Sequence, residues 1–342
     1  MARMDDMRPG LVRPVRLDSS GRTGPTRGQA RNASRWRRSS HGHYVPADVD
    51  ATLPEQRIVE AAAALPDRCA ITGWAALRWL GGSWFTGVGA DGRPLPVTLL
   101  ISTHDVRPQP GIEVCGEGAG RHDILRVHGL AVTSPAWSTA FLMRRAASPL
   151  QAVVDLDMTA YSDLVSLDEV AAVIAQQSSW TGVPQARWAL ARGSENAWSP
   201  MEVRARLAWT THVEDARPEA NRPVFDLAGH HLGTPDLLEP TAGIAVEYDG
   251  LVHLGREQRR ADRTRDEVFA AHGIELVRWL SGDGVDDFLR RLTAAHRGAA
   301  LRDGPRTWTT VPPPWWTPTT TVAARRQLSA SQRARLLRYR TA

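Results

Sequence analysis

Thr234-Pro235-Asp236-Leu237-Leu238, followed by Ile244-Ala245-Val246-Glu247-Tyr248-Asp249-Gly250, decides how this chain is read. On a strand, residues two apart share a face, so Glu247 and Asp249 point one way and Tyr248 the other. If 234–238 runs alongside as a second strand, Asp236 joins them. Converging carboxylates repel one another, and such a cluster either raises its pKa values or holds a cation. Oxygen-only ligands suit Mg²⁺, with Mn²⁺ as the near substitute. Activating a water for attack on a phosphodiester is the natural use of such a site. A plainer reading stands beside this one: Asp236 follows Pro235 in a turn, and Glu247 and Asp249 are the solvated end of a strand.

Working outward, the pattern predicts an α-β-β-β-α-β-α order. Ser199 to Trp209 is a helix, with Ser199-Pro200-Met201-Glu202 as a capping box that could also lie near a metal. Val224 to Leu227 and Pro235 to Leu238 read as a hairpin around Gly229-His230-His231-Leu232-Gly233. Ile244 to Asp249 is a strand, Arg256 to His272 a helix, Ile274 to Leu280 a strand and Val285 to His296 a helix. His253 follows Asp249 across a glycine and could take a proton from an activated water. Asp262 and Arg265 are spaced for an ion pair on a helix face. Arg256, Arg259, Arg260, Arg263 and Arg265 give that helix a basic side suited to a phosphate backbone.

Upstream, helices are expected over 55–65 and 72–82, strands at 97–102, 112–115 and 125–133, and a helix capped by Ser134 with Pro135 at its first position. Residues 149–193 read mostly as helix, and Arg192 to Pro200 as a domain junction. Four regions result: an Arg-rich arm expected to be disordered (1–45), an α+β domain (46–195), the acidic-site domain (196–300) and a Pro/Trp/Arg-rich tail (301–342). In the tail, Pro312-Pro313-Pro314 favours polyproline II, Ser329 to Arg340 is a basic helix expected on contact with a partner, and Trp315-Trp316 is a candidate protein-binding element.

Composition narrows the classes further. Of 342 residues, 42% are hydrophobic and 23% charged, as in folded globular proteins. No apolar run approaches the ~18 residues of a membrane span, and no apolar segment suggests a secretory signal, so a cytoplasmic protein without membrane contact is expected. Two cysteines, Cys69 and Cys115, are too few for a disulfide framework or a zinc site. All 42 basic residues are arginine, which excludes a catalytic lysine. Residues 1–45 and 301–342 each carry +7, leaving −9 on the body between them. Basic arms of this kind serve polyanions through counterion release.

Residues 199–296 resemble the PD-(D/E)XK nuclease superfamily, nearest its very-short-patch-repair-like branch, domain of unknown function 559. The likeness runs through Ser199 to Glu202, Pro235-Asp236, Glu247 to His253, Asp262 to Arg265 and Gly273 to Arg278. It implies a restriction-endonuclease-like α/β fold, a mixed sheet flanked by helices, preceded here by the smaller α+β domain. It also implies Mg²⁺ held by Asp236 and Glu247 with help from Glu202. Asp249 stands where the superfamily has its lysine, and His253 is the substitute the repair branch suggests. Residues 55–195 are more loosely similar to AbiEi-type antitoxin-like actinobacterial proteins, through Thr72 to Leu77, Val127 to Ser134 and Ala152 to Asp157. The expected function is an Mg²⁺-dependent DNA endonuclease of repair or phage defence. The alternative is a non-catalytic DNA-binding regulator or antitoxin-like protein carrying a degenerate nuclease fold.

Overall fold

The computed structural model describes residues 8–101, 106–249 and 266–338, and the chain divides into two compact units. The first takes in residues 1–147 and 168–187; the second, residues 148–167 and 188–342. This differs from a boundary at 195/196. The helix at 149–161 goes with the second unit because its Asp157 carboxylate, fully buried, is paired with Arg206 at 2.6 Å.

In the first unit, β1 (Val15–Arg16), β2 (Trp36–Ser40) and β3 (His43–Pro46) form an antiparallel sheet in the order β1-β3-β2. The expectation of disorder across 1–45 is corrected here. These strands are too short and too Arg-rich to show apolar alternation, and they are held instead by specific ties. Arg37 donates to both oxygens of Glu60, at 2.7 and 2.9 Å. The Gln56 side chain exchanges two 2.9 Å hydrogen bonds with the Val12 backbone, and Val45 is fully buried.

Gln56 and Glu60 lie on α1 (Pro54–Ala62), whose first turn takes Pro54 because no amide hydrogen is needed there. Then come β4 (Ala70–Thr72), α2 (Gly73–Trp79), β5 (Val97–Leu100), β6 (Ile112–Cys115), β7 (Ile124–Val127) and β8 (Leu130–Thr133), the strands making a mixed sheet in the order β6-β5-β4-β8-β7. The single strand expected over 125–133 is the β7–β8 hairpin, because His128 and Gly129 both have positive φ, +46° and +75°, and reverse the chain. Ser134 caps α3 (Pro135–Arg145) through Trp137 N, as its sequence predicts. Leu100, Cys115, Trp137 and Phe141 form a core cluster, with Val173 and Trp180 packed on it.

In the second unit, α4 (Pro149–Tyr161) packs on α5 (Pro200–His212). Ser199 caps α5 with its side chain on Glu202 N at 3.2 Å. The strands β9 (Glu219–Ala220), β10 (Val224–Asp226), β11 (His231–Gly233), β12 (Leu237–Glu239), β13 (Ile244–Asp249), β14 (Glu275–Leu280) and β15 (Trp308–Thr309) form two sheets. One runs β11-β10-β15, all antiparallel. The other runs β14-β13-β12-β9, with β13 and β14 parallel. The expected pairing of 224–227 with 235–238 is therefore corrected. Asp226 accepts from His230 N and Nδ1, each at 2.8 Å, closing the turn so early that β10 meets 231–233, and β12 is free to join β9 and β13.

Residues 266–271 are helical, and α6 (Val285–Ala300) covers the sheet. Trp279 stacks on Phe288 of α6 at 4.6 Å between ring centroids, with Tyr248 edge-on to Trp279. Val224, Leu238, Ala245, Phe269, Ile274 and Trp308 form the core beneath.

The tail is part of this unit. Trp308 and Thr309 pair with β10, and Trp316 packs on Phe225 and His231 with ring centroids 5.0 and 4.9 Å apart. Residues 330–336 are helical within the chain itself, capped by Ser329. Arg325 is fully buried: its guanidinium donates to Asp163 Oδ1 and to the carbonyls of Ala160, Glu195 and Thr319. Arg333 takes the other Asp163 oxygen at 2.7 Å. No described helix is long and apolar enough to cross a membrane.

Candidate active site

The antiparallel register pairs Leu237 with Val246, so one step further along sets Asp236 opposite Glu247. The parallel register pairs Glu247 with Arg278. Cross-strand partners share a face, so Asp236, Glu247 and Arg278 form a row across β12, β13 and β14. Asp249, two residues on, lies on that same face. Tyr248 and Trp279 take the other face and pack toward α6. Alternation thus puts the aromatic residues on one side of the sheet and the ionisable ones on the other.

Arg278 holds the carboxylates together. Its Nη2 donates to both oxygens of Asp266, at 2.7 and 2.8 Å, and lies 3.8 Å from Glu247 Oε2. Its Nη1 donates to Asp249 Oδ2 at 3.0 Å. Burial works against the Arg278 charge, but Asp266, then Glu247 and Asp249, outweigh it and raise its pKa above the usual arginine value. The Asp236 carboxylate accepts from Tyr248 N at 2.8 Å, which fixes it beside Glu247.

Glu202, on the first turn of α5, is buried behind Asp236. The Ser199 half of the expected capping box forms, but the Glu202 carboxylate accepts from Trp198 N at 2.7 Å rather than closing back on Ser199. The reason is a second donor, Asn221 Nδ2, at 2.6 Å, drawing the carboxylate inward. Desolvation, and after it the charge of Asp236, raises the Glu202 pKa to about 8. Asn221 has φ +48°, a strained position that its side-chain bonds to Glu202 and to the Asn196 carbonyl hold in place.

The structure therefore brings Glu202, Asp236, Glu247 and Asp249 into one neighbourhood. His253, Arg256, Arg259, Arg260, Asp262, Arg263 and Arg265 lie outside the described residues. Arg278, Asp266 and Asn221 are the members the residue reading gave no role. The arginine sits in a strand whose register no local pattern discloses. Asn221 lacks the turn signature that would flag its backbone.

The donors are all oxygens, as Mg²⁺ and Mn²⁺ prefer. Among the described residues no group of three carboxylate, imidazole or thiol side chains is set around one point. Asp236 and Glu247 supply a pair, and Mg²⁺ commonly takes one or two carboxylates with waters completing its shell. Asn221 Oδ1, buried and without a hydrogen-bond partner beside Glu202, is a further oxygen compatible with a cation there. Comparison with family models, with curated proteins and with solved structures finds no match to this chain.

Proposed function

We propose that the second unit is a divalent-cation-dependent DNA endonuclease with a restriction-endonuclease-like core, acting in repair or phage defence. The observation that carries this reading is the cross-strand row Asp236–Glu247–Arg278, two carboxylates and one fixed cation on one face. Asp236 and Glu247 would hold Mg²⁺ or Mn²⁺, with Glu202 behind them. When bound, the cation supplies a Lewis acid for the phosphodiester and an acidified water.

Arg278 takes over the charge that a lysine at position 249 would provide. It reaches Glu247 from the neighbouring strand and would face negative charge growing on the phosphate. Its raised pKa excludes it as a base, which leaves proton removal to His253. Arg256, Arg259, Arg260, Arg263 and Arg265 would hold the DNA backbone. Glu202, with its pKa near 8, stays largely protonated at neutral pH until a cation draws the proton off.

The test is cleavage of plasmid and single-stranded DNA with Mg²⁺ or Mn²⁺. Wild type should cut, and Asp236→Ala should lose cutting while still shifting DNA on a gel. Equal cleavage by Asp236→Ala would sink the assignment.

One observation favours the second reading, a DNA-binding regulator or antitoxin-like protein with an inert nuclease core. Arg278 is engaged by Asp266, Asp249 and Glu247 at once, so its charge is already answered before any phosphate arrives. Wild-type protein that binds DNA without cutting it, and whose melting temperature ignores Mg²⁺, would establish this reading instead.

A further inference from the structure

The first unit contains a cavity of about 990 Å³ between the β1-β3-β2 sheet, the end of α1 and residues 106–110. Its lining includes Arg16, Arg38, Arg107, His41 and His43, and among the described residues no carboxylate. Arg37, Arg144, Arg206 and Arg278 each have a carboxylate partner. Among the described residues, none pairs with Arg16, Arg38 or Arg107.

These side chains are nonetheless positioned. His43 Nδ1 donates to the His41 carbonyl at 3.0 Å, which leaves Nε2 as an acceptor, and Arg16 Nε donates to it at 3.3 Å. Arg38 Nη2 donates to His41 Nδ1 at 2.8 Å, so the His41 proton sits on Nε2. The His41 amide donates to Gln109 Oε1 at 2.7 Å, which ties the Arg107 loop to the β2–β3 turn. Among the described residues, nothing accepts from the terminal nitrogens of Arg16 or from the Arg107 guanidinium. The Ser39 hydroxyl, on the cavity wall and shielded from solvent, has no partner. At the end of α1 the Ala61 and Ala62 carbonyls are taken by Ala64 N and Leu65 N.

Arg16, Arg38 and Arg107 line one pocket and meet no carboxylate among the described residues, so an anion there would supply their missing counter-charge. Planar guanidinium forks match phosphate oxygens. A concavity of this size suits a small molecule rather than a duplex groove. We infer that this cavity binds the terminal phosphate of a small phosphomonoester of nucleotide size. The site is separate from the carboxylate row and does not depend on the nuclease reading.

Isothermal titration of the full chain with AMP tests this, with adenosine, inorganic phosphate and a 5′-hydroxyl oligonucleotide as comparison ligands. AMP should bind saturably, inorganic phosphate should compete with it, and adenosine should not bind. Arg107→Gln, whose side chain has no partner among the described residues, should keep the wild-type melting curve and weaken AMP about tenfold or more. Asp236→Ala should bind AMP as wild type does. Absence of saturable AMP binding, or equal affinity in Arg107→Gln, would overturn the site. Competition by the 5′-hydroxyl oligonucleotide as strong as that by AMP would overturn the small-molecule assignment and make the source the nucleic-acid backbone.

Discussion

Two arginines of the second unit meet carboxylates in opposite ways. Arg206 faces one, Asp157; the pair is 2.6 Å apart and almost wholly buried, and Ser194 N supplies a further hydrogen bond to Asp157. Arg278 faces three, Glu247, Asp249 and Asp266, with Asp236 and Glu202 close behind, and its side chain keeps 28% exposure. The first arrangement is balanced and dry, which is what holding α4 against α5 requires. The second has an excess of negative charge and an opening to solvent. That is a poor way to stabilise a fold, and it is the charge pattern on which the proposed cation site rests.

The largest effect expected is at the balanced site. Arg206→Ala leaves Asp157 buried without its partner and should cost about 3–5 kcal/mol in urea unfolding. Arg278→Met should cost less, about 1 kcal/mol, because Asp249 and Asp266, the carboxylates it leaves, stand partly in water, which screens their repulsion. Equal losses from the two substitutions would break the contrast.

Next in size is a pH effect. Burial raises the Glu202 pKa from 4.5 to about 8 in the folded protein. The folded state therefore binds the extra proton between those values, and this contribution to stability is full below about pH 4.5 and lost as pH rises toward 8. Glu202→Gln should flatten that fall, by on the order of a few kcal/mol across the window, in urea midpoints taken at its two ends. An unchanged slope would mean that Glu202 ionises without penalty.

Smaller again is the response to cation. At tenfold excess over its Kd, Mg²⁺ should stabilise wild type by about 1.4 kcal/mol and leave Asp236→Ala unmoved. A melting scan reads both, and a shift of equal size in the two proteins would place the ion elsewhere. Smallest is Ser199→Ala, which removes only the α5 cap and should cost about 1 kcal/mol by thermal melting.

What the sequence disclosed follows from where the information is local. Ser199 and Pro200 announce α5, and the apolar run ending in Glu247-Tyr248-Asp249 announces β13, because caps and alternation are written in adjacent residues. Arg278 could be read as part of a strand but not as a neighbour of Glu247, since a parallel register is set by folding over many residues. The sheet at 15–46 was illegible for another reason. Its strands are held by Arg37, Gln56 and Glu60, side chains that composition assigns to solvent. Arg325 misleads in the same way: a residue from a basic tail is fully buried because four acceptors happen to await it.

That burial has a consequence in time. Asp163 precedes Arg325 by 162 residues and Arg333 by 170. At roughly 5–20 residues per second of synthesis, the end of α4 waits about ten to thirty seconds for Arg325 and Arg333 to close over it. During that interval the emerging chain carries an acidic latch with nothing to fasten. A segment translated late in this unit closes over the end of the helix translated first.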